Sequence, residues 1–180
     1  MLAITTPRLT STPVTLQEEQ EILRIYAENE SILPLLDRDQ DASQLTTRLL
    51  LHSNVPKGGC QEHLHNLLLH AGNQPIGLLS VYIGYPQPDI AYIGELFLRP
   101  QFQQQGFAAE AVKGLETELI QQAYAGIRVG VSLKNWRGLR FWLRQKFLAI
   151  TGMSGDRDFG PEAHAFIELH KRLARKDGIS

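Results

Sequence analysis

The junction between a strand pattern and a helix pattern in the middle of the chain limits most strongly what this sequence can fold into. An apolar run from Ile90 to Leu98 stops at Arg99-Pro100, a polar segment follows, and an alanine-rich stretch with helical spacing begins at Gly106. The first turn of a helix has backbone N–H groups without intrahelical partners, and such groups can bind a phosphate. By itself, the junction predicts a phosphate-binding elbow and an ordinary strand-to-helix turn equally well.

Two small residues in this elbow suit the close approach of a ligand. Gly106 has no Cβ, so a ligand can come near its backbone or the residue can take a positive φ. Ala108 leaves the first helical turn accessible, and the partial positive charge of a helix N-terminus favours a pyrophosphate over water. Because the elbow contains three glutamines, Gln103 to Gln105, and no Arg or Lys, binding there would depend on backbone amides and the helix dipole.

Size and composition restrict the broad class of the protein. The 180 residues are enough for one well-buried domain, and 43% hydrophobic with 21% charged residues is an ordinary globular balance. The formal net charge of −1 provides no general attraction to nucleic acid or membrane. No apolar run is long enough to span a bilayer, the N-terminus lacks a secretory signal pattern, and Cys60 is the only cysteine. We therefore expect a cytoplasmic protein without an intramolecular disulfide.

The remaining sequence alternates between strand and helix patterns. Thr15 and Glu18 form a capping-box pattern, and Asp41 is a candidate N-cap. The predicted elements are an edge strand at 4–13, helices near 15–26, 32–36 and 41–52, strands at 63–70, 76–83 and 90–98, a helix at 107–123, a strand at 127–133, a helix at 136–146, and strands at 148–153 and 164–173. This order predicts one α/β domain over residues 1–180 with a mixed sheet, and a polar tail from Ala174.

The strand before the elbow carries a carboxylate, Glu95. By strand alternation Glu95 shares a face with Ile93 and Phe97. Partial burial would raise its pKa and suit a general base that works near neutrality, whereas a solvated sheet edge or an Arg partner would make it purely structural. Gly94 and the residues just after Glu95 could also form a β-bulge that exposes a strand amide.

Two motifs resemble those of the GNAT-type N-acetyltransferase superfamily. The pattern Gln103-x-x-Gly106-x-Ala108 fits the signature Q/R-x-x-G-x-G/A, and the stretch from Asn135 to Phe147 resembles the N-x-x-A-x-x-F-Y-x-x-x-G-F segment. The order of elements also resembles the GNAT fold, a central mixed and mostly antiparallel sheet flanked by helices. The resemblance implies acetyl-CoA as cosubstrate, with its pyrophosphate in the elbow, and direct transfer of the acetyl group to a primary amine of a small molecule or protein.

The resemblance also implies roles for particular residues. Glu95 would deprotonate the acceptor amine, and a strand amide near Phe97 or Leu98 would polarise the thioester carbonyl. Asn135 would bind the pantetheine arm or cap the next helix, and both alternatives stay open. The residues implied in cofactor binding are Phe97, Leu98, Gln103, Gln104, Gln105, Gly106, Phe107, Ala108, Asn135 and Trp142.

Three residues depart from the family pattern. Gly138 replaces a usual Ala, and Lys146 replaces the usual Gly before Phe147, so we expect a different turn there. Trp142 stands where the family usually has a Tyr whose hydroxyl is thought to protonate the departing CoA thiolate, and an indole N–H cannot supply that proton. A water or another tyrosine could replace it: Tyr82, Tyr85 or Tyr92. A catalytically weak or inactive CoA-binding sensor or interaction module is therefore the alternative function.

Other charged or reactive residues leave further alternatives open. The helix after Asn135 carries Arg137, Arg140 and Arg144, which could contact CoA phosphates or form a solvated basic face. The loop at 154–161 carries Asp156 and Asp158, which would suit a cationic acceptor or serve only solubility.

Metal and nucleotide chemistry find little support in the sequence. Cys60, His63 and His65 form an incomplete ligand set, so we expect no metal site. No P-loop or G-x-G-x-x-G motif supports nucleotide binding, and the sequence is compatible with both a monomer and a homodimer.

Overall fold

The computed structural model describes residues 2–36, 41–158 and 160–174. Its strands and α-helices follow each other in the order β1 (Thr10–Pro13), α1 (Glu19–Ala27), α2 (Leu33–Leu36), α3 (Ala42–Leu50), β2 (Leu64–Ala71), β3 (Gln74–Ile83), β4 (Ile90–Leu98), α4 (Phe107–Gln121), β5 (Gly126–Ser132), α5 (Trp136–Arg144), β6 (Ala149–Gly155) and β7 (Ala165–Arg172).

The strands of the described residues form one seven-stranded sheet with the order β1-β2-β3-β4-β5-β7-β6. All neighbouring strands are antiparallel except β4 and β5, which are parallel and joined through α4. A parallel pair needs such a crossover because its second strand must start at the same end of the sheet as its first. The predicted α/β class with a mixed, mostly antiparallel sheet is confirmed.

Helices cover both faces of the sheet. Leu78 and Phe97 pack with α1, α2 and α3 in one hydrophobic cluster, which we call the front layer. Leu79 and Leu98 pack with α4 and α5 in a second cluster, the back layer. Adjacent residues of a strand fall in different clusters because successive side chains point to opposite faces.

The predicted elements are present, but several boundaries differ. Only Thr10–Pro13 of the predicted first strand pairs with β2, while Thr5 makes an isolated bridge to Thr10. Asp41 caps α3 as predicted by accepting a hydrogen bond from the Gln44 amide, but α3 ends at Leu50, before His52. Residues 175–180 of the predicted polar tail lie outside the described residues.

The predicted bulge lies at Gly94, where the register between β3 and β4 shifts by one residue. Ser80 lies opposite Glu95, and the next residue of β3 lies opposite Ile93. Ile93 consequently packs in the back layer, while Phe97 packs in the front layer. The prediction that Ile93 shares a face with Glu95 and Phe97 is wrong, because a bulge inserts one extra residue and reverses the alternation on either side of it.

The C-terminus of α5 keeps a common helix ending despite the lysine at position 146. Lys146 has φ 69°, the left-handed conformation that glycine adopts most readily. The Phe147 amide donates to the Trp142 carbonyl and the Lys146 amide to the Leu143 carbonyl, which is the Schellman pattern. The expected change of turn is therefore wrong, and the lysine tolerates the strain of a position that suits glycine better.

Candidate active site

A cleft opens in the middle of the sheet where β4 and β5 separate. Their pairing runs from Ile90 opposite Gly126 to Ile93 opposite Val129 and stops there, although both strands continue. The separation begins beside the bulge at Gly94, since a bulge bends the strand that contains it. The two strands and residues of α2, α3 and α5 enclose a cavity of about 270 Å³. Among the described residues, the β4 edge that faces this cavity has no strand partner beyond Ile93.

Glu95 lines this cavity and is partly buried. The hydroxyl of the fully buried Tyr26 donates a hydrogen bond of 2.9 Å to Glu95 Oε2. Burial raises the pKa of the Glu95 carboxyl to about 6, although the Tyr26 hydrogen bond and the charge of Arg48 act in the opposite direction. Burial and the neighbouring Glu95 carboxylate raise the pKa of Tyr26 well above its ordinary value, so the phenol remains a hydrogen-bond donor. Glu95 is thus a carboxylate that can exchange a proton near neutral pH.

Buried polar side chains occupy the strands next to Glu95. Ser80, which pairs with Glu95 across the sheet, donates a 2.7 Å hydrogen bond to Asn66 Oδ1. The Asn66 amide in turn donates to the Leu49 carbonyl at 2.8 Å. These bonds satisfy the buried polar atoms and attach α3 to the sheet beside the cavity.

The elbow before α4 leaves the first turn of the helix without a side-chain cap. Gly106, the N-cap of α4, has φ 86° and offers no side-chain cap to the first turn. Apart from its neighbours in the chain, a Cβ added to Gly106 would have one heavy atom of the described residues within 4 Å, Arg8 Nη2 at 3.4 Å. Gln104 also takes a positive φ of 60°. The N–H groups of the first turn, including those of Phe107 and Ala108, therefore start a fifteen-residue helix without a capping side chain.

Gln103 braces the elbow with its side chain. Its amide nitrogen donates to the Leu98 carbonyl at 2.8 Å and to Asn29 Oδ1 at 3.0 Å, while its oxygen accepts from Arg137 at 2.9 Å. Asn29 is buried and itself donates to the Leu98 carbonyl. Gln105 also bonds within the elbow, to the Gln101 carbonyl. These two glutamine side chains hold the shape of the elbow.

Two arginine side chains from other parts of the chain contact the elbow, whose own residues 103–105 include no Arg or Lys. Arg8 donates to the Gln105 carbonyl at 3.2 Å, forms an ion pair with Glu110 of α4, and lies over the Phe107 ring at 4.3 Å. Arg137 reaches the same elbow through Gln103. Sequence reasoning missed Arg8 because 97 residues separate it from its partner Gln105. The only local feature that distinguishes Arg8 in the sequence is its charge within a Thr- and Pro-rich segment.

Asn135 and Trp142 both line the cavity. Asn135 caps α5, since its side-chain oxygen accepts from the Gly138 amide at 2.8 Å. A Cβ at Gly138 would come within 2.5 Å of the Asn135 amide nitrogen, so the glycine leaves the room that this cap needs. Trp142 is buried, with ring contacts to Phe141 at 4.9 Å and Phe147 at 5.1 Å.

The three tyrosines that the sequence offered as replacements lie in different surroundings. The Tyr82 hydroxyl accepts a hydrogen bond from the Cys60 amide, and the Tyr85 ring packs against Tyr92. The Tyr92 hydroxyl lies over Gly130, so close that a Cβ added to this glycine would be 2.8 Å from the hydroxyl oxygen. Gly130 itself lines the cavity. Burial raises the pKa of Tyr92 to about 12, so its hydroxyl is protonated at neutral pH.

Other candidate residues lie apart from the cleft lining. Cys60 is exposed, and its neighbourhood contains the His63 ring, which packs against Tyr82. Among the described residues, no group of three or more His, Cys, Asp or Glu side chains could hold a metal ion. Asp156 accepts a hydrogen bond from the His164 amide and so helps to shape its own loop. The helices of residues 2–36, 41–158 and 160–174 are all too short or too polar to cross a membrane.

Solved structures of acetyltransferases share this fold. An acetyltransferase from Salmonella typhimurium that modifies the N-terminal serine of ribosomal protein L7/L12 superposes with a TM-score of 0.74 at 20% identity, over 96% of this chain and 100% of that one. A ribosomal L7/L12 alpha-N-protein acetyltransferase in complex with coenzyme A gives 0.73 at 16% identity, over 96% and 98%. An acetyltransferase from Thermus thermophilus gives 0.68 at 19% identity, over 96% and 100%.

The family assignment comes from the sequence itself. No curated protein shows significant sequence similarity to the chain. The model of the acetyltransferase (GNAT) family, however, matches residues 22–147, which include the bulged strand, the elbow and α5. With the shared fold and the cleft between β4 and β5, this match identifies the chain as a member of the GNAT acetyltransferase family, whose enzymes use acetyl-CoA as the acetyl donor.

Proposed function

We propose that the protein transfers the acetyl group of acetyl-CoA to a primary amine of a small molecule or a protein, with Glu95 as the general base and without a covalent enzyme intermediate. One observation carries the proposal: the separation of β4 and β5 opens a cavity lined by a partly buried carboxylate, and the strand that carries this carboxylate leads into the uncapped N-terminus of α4. Two of the structural neighbours are described as acetylating the amino terminus of L7/L12, which supports an amine as the acceptor.

The described residues suit acetyl-CoA. Its pyrophosphate would bind the first turn of α4 at residues 104–108, where Gly106 leaves the backbone accessible and the Arg8–Glu110 ion pair lies alongside. Its pantetheine arm would lie between the separated strands, beside Asn135 and Trp142. Acetyl-CoA supplies an acetyl group that is already activated as a thioester.

Glu95 provides the proton transfer that an amine acceptor requires. An alkylamine with a pKa of about 10.4 is nearly all ammonium at neutral pH and cannot attack a carbonyl until it loses a proton. With a pKa of about 6, Glu95 is ionised at pH 7 and can accept that proton directly or through a water. The unpaired β4 edge near Phe97 and Leu98 offers backbone N–H groups to the negative charge that develops on the carbonyl oxygen.

The leaving thiolate needs less assistance than the amine. A thiol pKa of about 8.5 makes thiolate a tolerable leaving group, and correct placement of the reactants supplies much of the acceleration. Trp142 has no acidic proton to give. Tyr92, whose hydroxyl lies over Gly130 at the cavity wall, is the tyrosine best placed to hydrogen-bond the thiolate, directly or through a water.

Trp142 also favours a second candidate, a CoA-binding sensor or interaction module with weak or no transferase activity. Its indole packs between Phe141 and Phe147 and presents no hydroxyl to the cavity. Amine-dependent thiol release by the wild-type protein separates the two functions. An active enzyme should release thiol, and a sensor should release none.

Release of free CoA thiol from acetyl-CoA in the presence of a panel of primary amines and N-terminal peptides tests the proposal. We expect amine-dependent release with at least one member of the panel, and formation of the acetylated product by mass. Thiol release that does not depend on the amine, or no release with any amine, would overturn the transferase assignment. Cys60→Ala serves as a control, because loss of activity in that variant would indicate a covalent acyl intermediate.

A further inference from the structure

Arg48 of α3 lines the same cavity as Glu95, on the front-layer side where an acceptor would enter. It is partly buried, and its guanidinium donates one hydrogen bond, to Asn54 Oδ1 at 2.9 Å. A guanidinium has five N–H donors. Most of the donor capacity of Arg48 therefore has no protein partner among the described residues.

Arg48 differs in this respect from three other arginines that join two parts of the fold. Arg8 pairs with Glu110, Arg99 with Glu28 and Glu21, and Arg128 with Glu168. Within the described parts of the chain, Arg48 forms no ion pair with a carboxylate. Because no described carboxylate lies within ion-pair distance of Arg48, most of its N–H donors remain available to an anionic ligand.

The rest of this wall of the cavity strengthens the field of Arg48. Six apolar side chains of the front layer line the cavity with Arg48: Ile32, Leu33, Leu36, Leu45, Leu49 and Phe97. Charges interact more strongly next to such surfaces than in bulk water. The charge of Arg48 lowers the pKa of both Glu95 and Tyr26, so its guanidinium lies within effective range of the carboxylate that would hold the amine.

We propose that Arg48 selects acceptor amines that carry an anionic group close to the amine, such as the carboxylate of a free amino acid or of an acidic residue next to a peptide N-terminus. The inference rests on the proposed function, because it places the amine at Glu95. The amine would be held by Glu95, the anionic group by Arg48, and an apolar body by the leucines around them. Polyamines would be disfavoured, contrary to what the acidic residues of the 154–161 loop suggest.

Matched pairs of acceptors test this selectivity. L-leucine and L-leucinamide differ in a carboxylate, and the amides of the peptides Ser-Asp-Leu and Ser-Asn-Leu differ in one acidic side chain. For each pair we compare kcat/KM of the charged and the neutral member in wild type, Arg48→Gln and Arg48→Lys at pH 8, where Glu95 is ionised. We expect the charged-to-neutral ratio of at least one pair to fall by roughly 10-fold or more in Arg48→Gln and by less in Arg48→Lys, because a charge-assisted hydrogen bond is lost in the first variant and partly kept in the second.

The control is Arg24→Gln, because Arg24 is an exposed arginine of α1 outside the cavity lining. Its ratio should equal that of wild type. An unchanged ratio in Arg48→Gln for both pairs would overturn the inference, whichever amine is acetylated. The pair that responds tells whether the anion belongs to a free amino acid or to a peptide.

A binding experiment separates failure of the inference from failure of the proposed function. The same pairs are titrated calorimetrically into CoA-bound wild type and Arg48→Gln. Tighter binding of the charged member in wild type alone supports the inference even without turnover. Equal binding of both members to both proteins contradicts it, while absence of thiol release with every amine contradicts only the transferase activity.

Discussion

At the scale of single residues, Glu95 shows how burial and one hydrogen bond set the chemistry of a carboxyl group. Burial alone disfavours the charged form and raises the pKa of the carboxyl. The Tyr26 hydroxyl and the Arg48 charge limit the rise, and the resulting pKa of about 6 leaves Glu95 ionised at pH 7. The residue can therefore accept a proton near neutrality, which an exposed glutamate with its lower pKa does less effectively.

The pH dependence of kcat/KM should report this pKa. A general base works only when ionised, so we expect activity to fall below about pH 6 and to level off above it. Glu95→Gln should lack this limb and lose about 10²- to 10⁴-fold in kcat/KM at pH 7, with a smaller loss at alkaline pH where more amine is already neutral. An equal loss at every pH would argue against a base.

Tyr26→Phe is the companion variant for this measurement. Removing the phenol hydroxyl removes a hydrogen bond that stabilises the ionised carboxylate. The pKa of Glu95 should rise, and the acid limb of kcat/KM should move to higher pH. A limb at unchanged pH in Tyr26→Phe would mean that another group controls the profile.

Gly106 tests the position of the pyrophosphate. Gly106→Glu would place a carboxylate at the N-terminus of α4, where it would occupy the anion site and repel phosphate. We expect calorimetric titration to show loss of acetyl-CoA binding. Gly72→Glu is a matched control, because Gly72 also has a positive φ and open space around its Cβ position but lies in the β2–β3 turn. Unchanged affinity in Gly106→Glu would move the pyrophosphate elsewhere.

At the scale of elements, α5 connects the cleft to the back layer. Its N-terminus is capped by Asn135, and its C-terminus turns sharply so that Phe147 packs against Trp142. That turn requires Lys146 to take a positive φ, which costs a residue with a Cβ more than it costs glycine. The helix therefore holds Trp142 at the cavity wall in spite of a residue poorly suited to its last turn.

Replacing this lysine should stabilise the protein. Lys146→Gly relieves the left-handed strain, offset in part by the greater freedom of glycine in the unfolded chain, and we expect the free energy of unfolding to rise by about 0.5–1 kcal/mol. Urea denaturation measures the change. Lys113→Gly in the interior of α4 is the control and should lower the free energy of unfolding by about 1 kcal/mol. A decrease in the free energy of unfolding of both variants would contradict the strain at Lys146.

At the scale of the whole molecule, the cleft divides the sheet into two parts, which four β4–β5 residue pairs join within the sheet and the back layer joins from one face. A ligand that fills the cleft would contact both strands and link the two parts. Because it binds the folded state alone, it would also shift the folding equilibrium toward that state.

Acetyl-CoA should accordingly raise the melting temperature. At a ligand concentration of 100 times Kd, the free energy of unfolding increases by about 2.7 kcal/mol. For a domain of this size, that increase raises the melting temperature by roughly 5–11 °C. CoA should act similarly, whereas ATP and NAD should have little effect. A shift with ATP or NAD as large as that with acetyl-CoA would contradict a site built for CoA and favour a general phosphate binder.

Short-range signals in the sequence were sufficient for the elements and for part of the site. Strand periodicity, the Asp41 cap and the glycine of the elbow each depend on residues a few positions apart, so the sequence predicted the sheet, the helices, the bulge near Gly94 and the open start of α4. The family motifs then identified acetyl-CoA as the donor. The residues assigned to its binding remain predictions that the experiments above can test.

The remaining features of the site arise from contacts between residues far apart in the chain. Tyr26 is 69 positions from its partner Glu95, and Arg8 is 97 positions from its partner Gln105 in the elbow. Arg48 lines the cavity because of how α3 packs on the sheet, which no local sequence pattern predicts. The bulge reversed the face of Ile93, because one inserted residue changes every alternation beyond it. Local propensity by itself therefore determined which segments are strands, helices and elbow. Only the tertiary structure decided which charges surround the cleft, because packing brings those residues together.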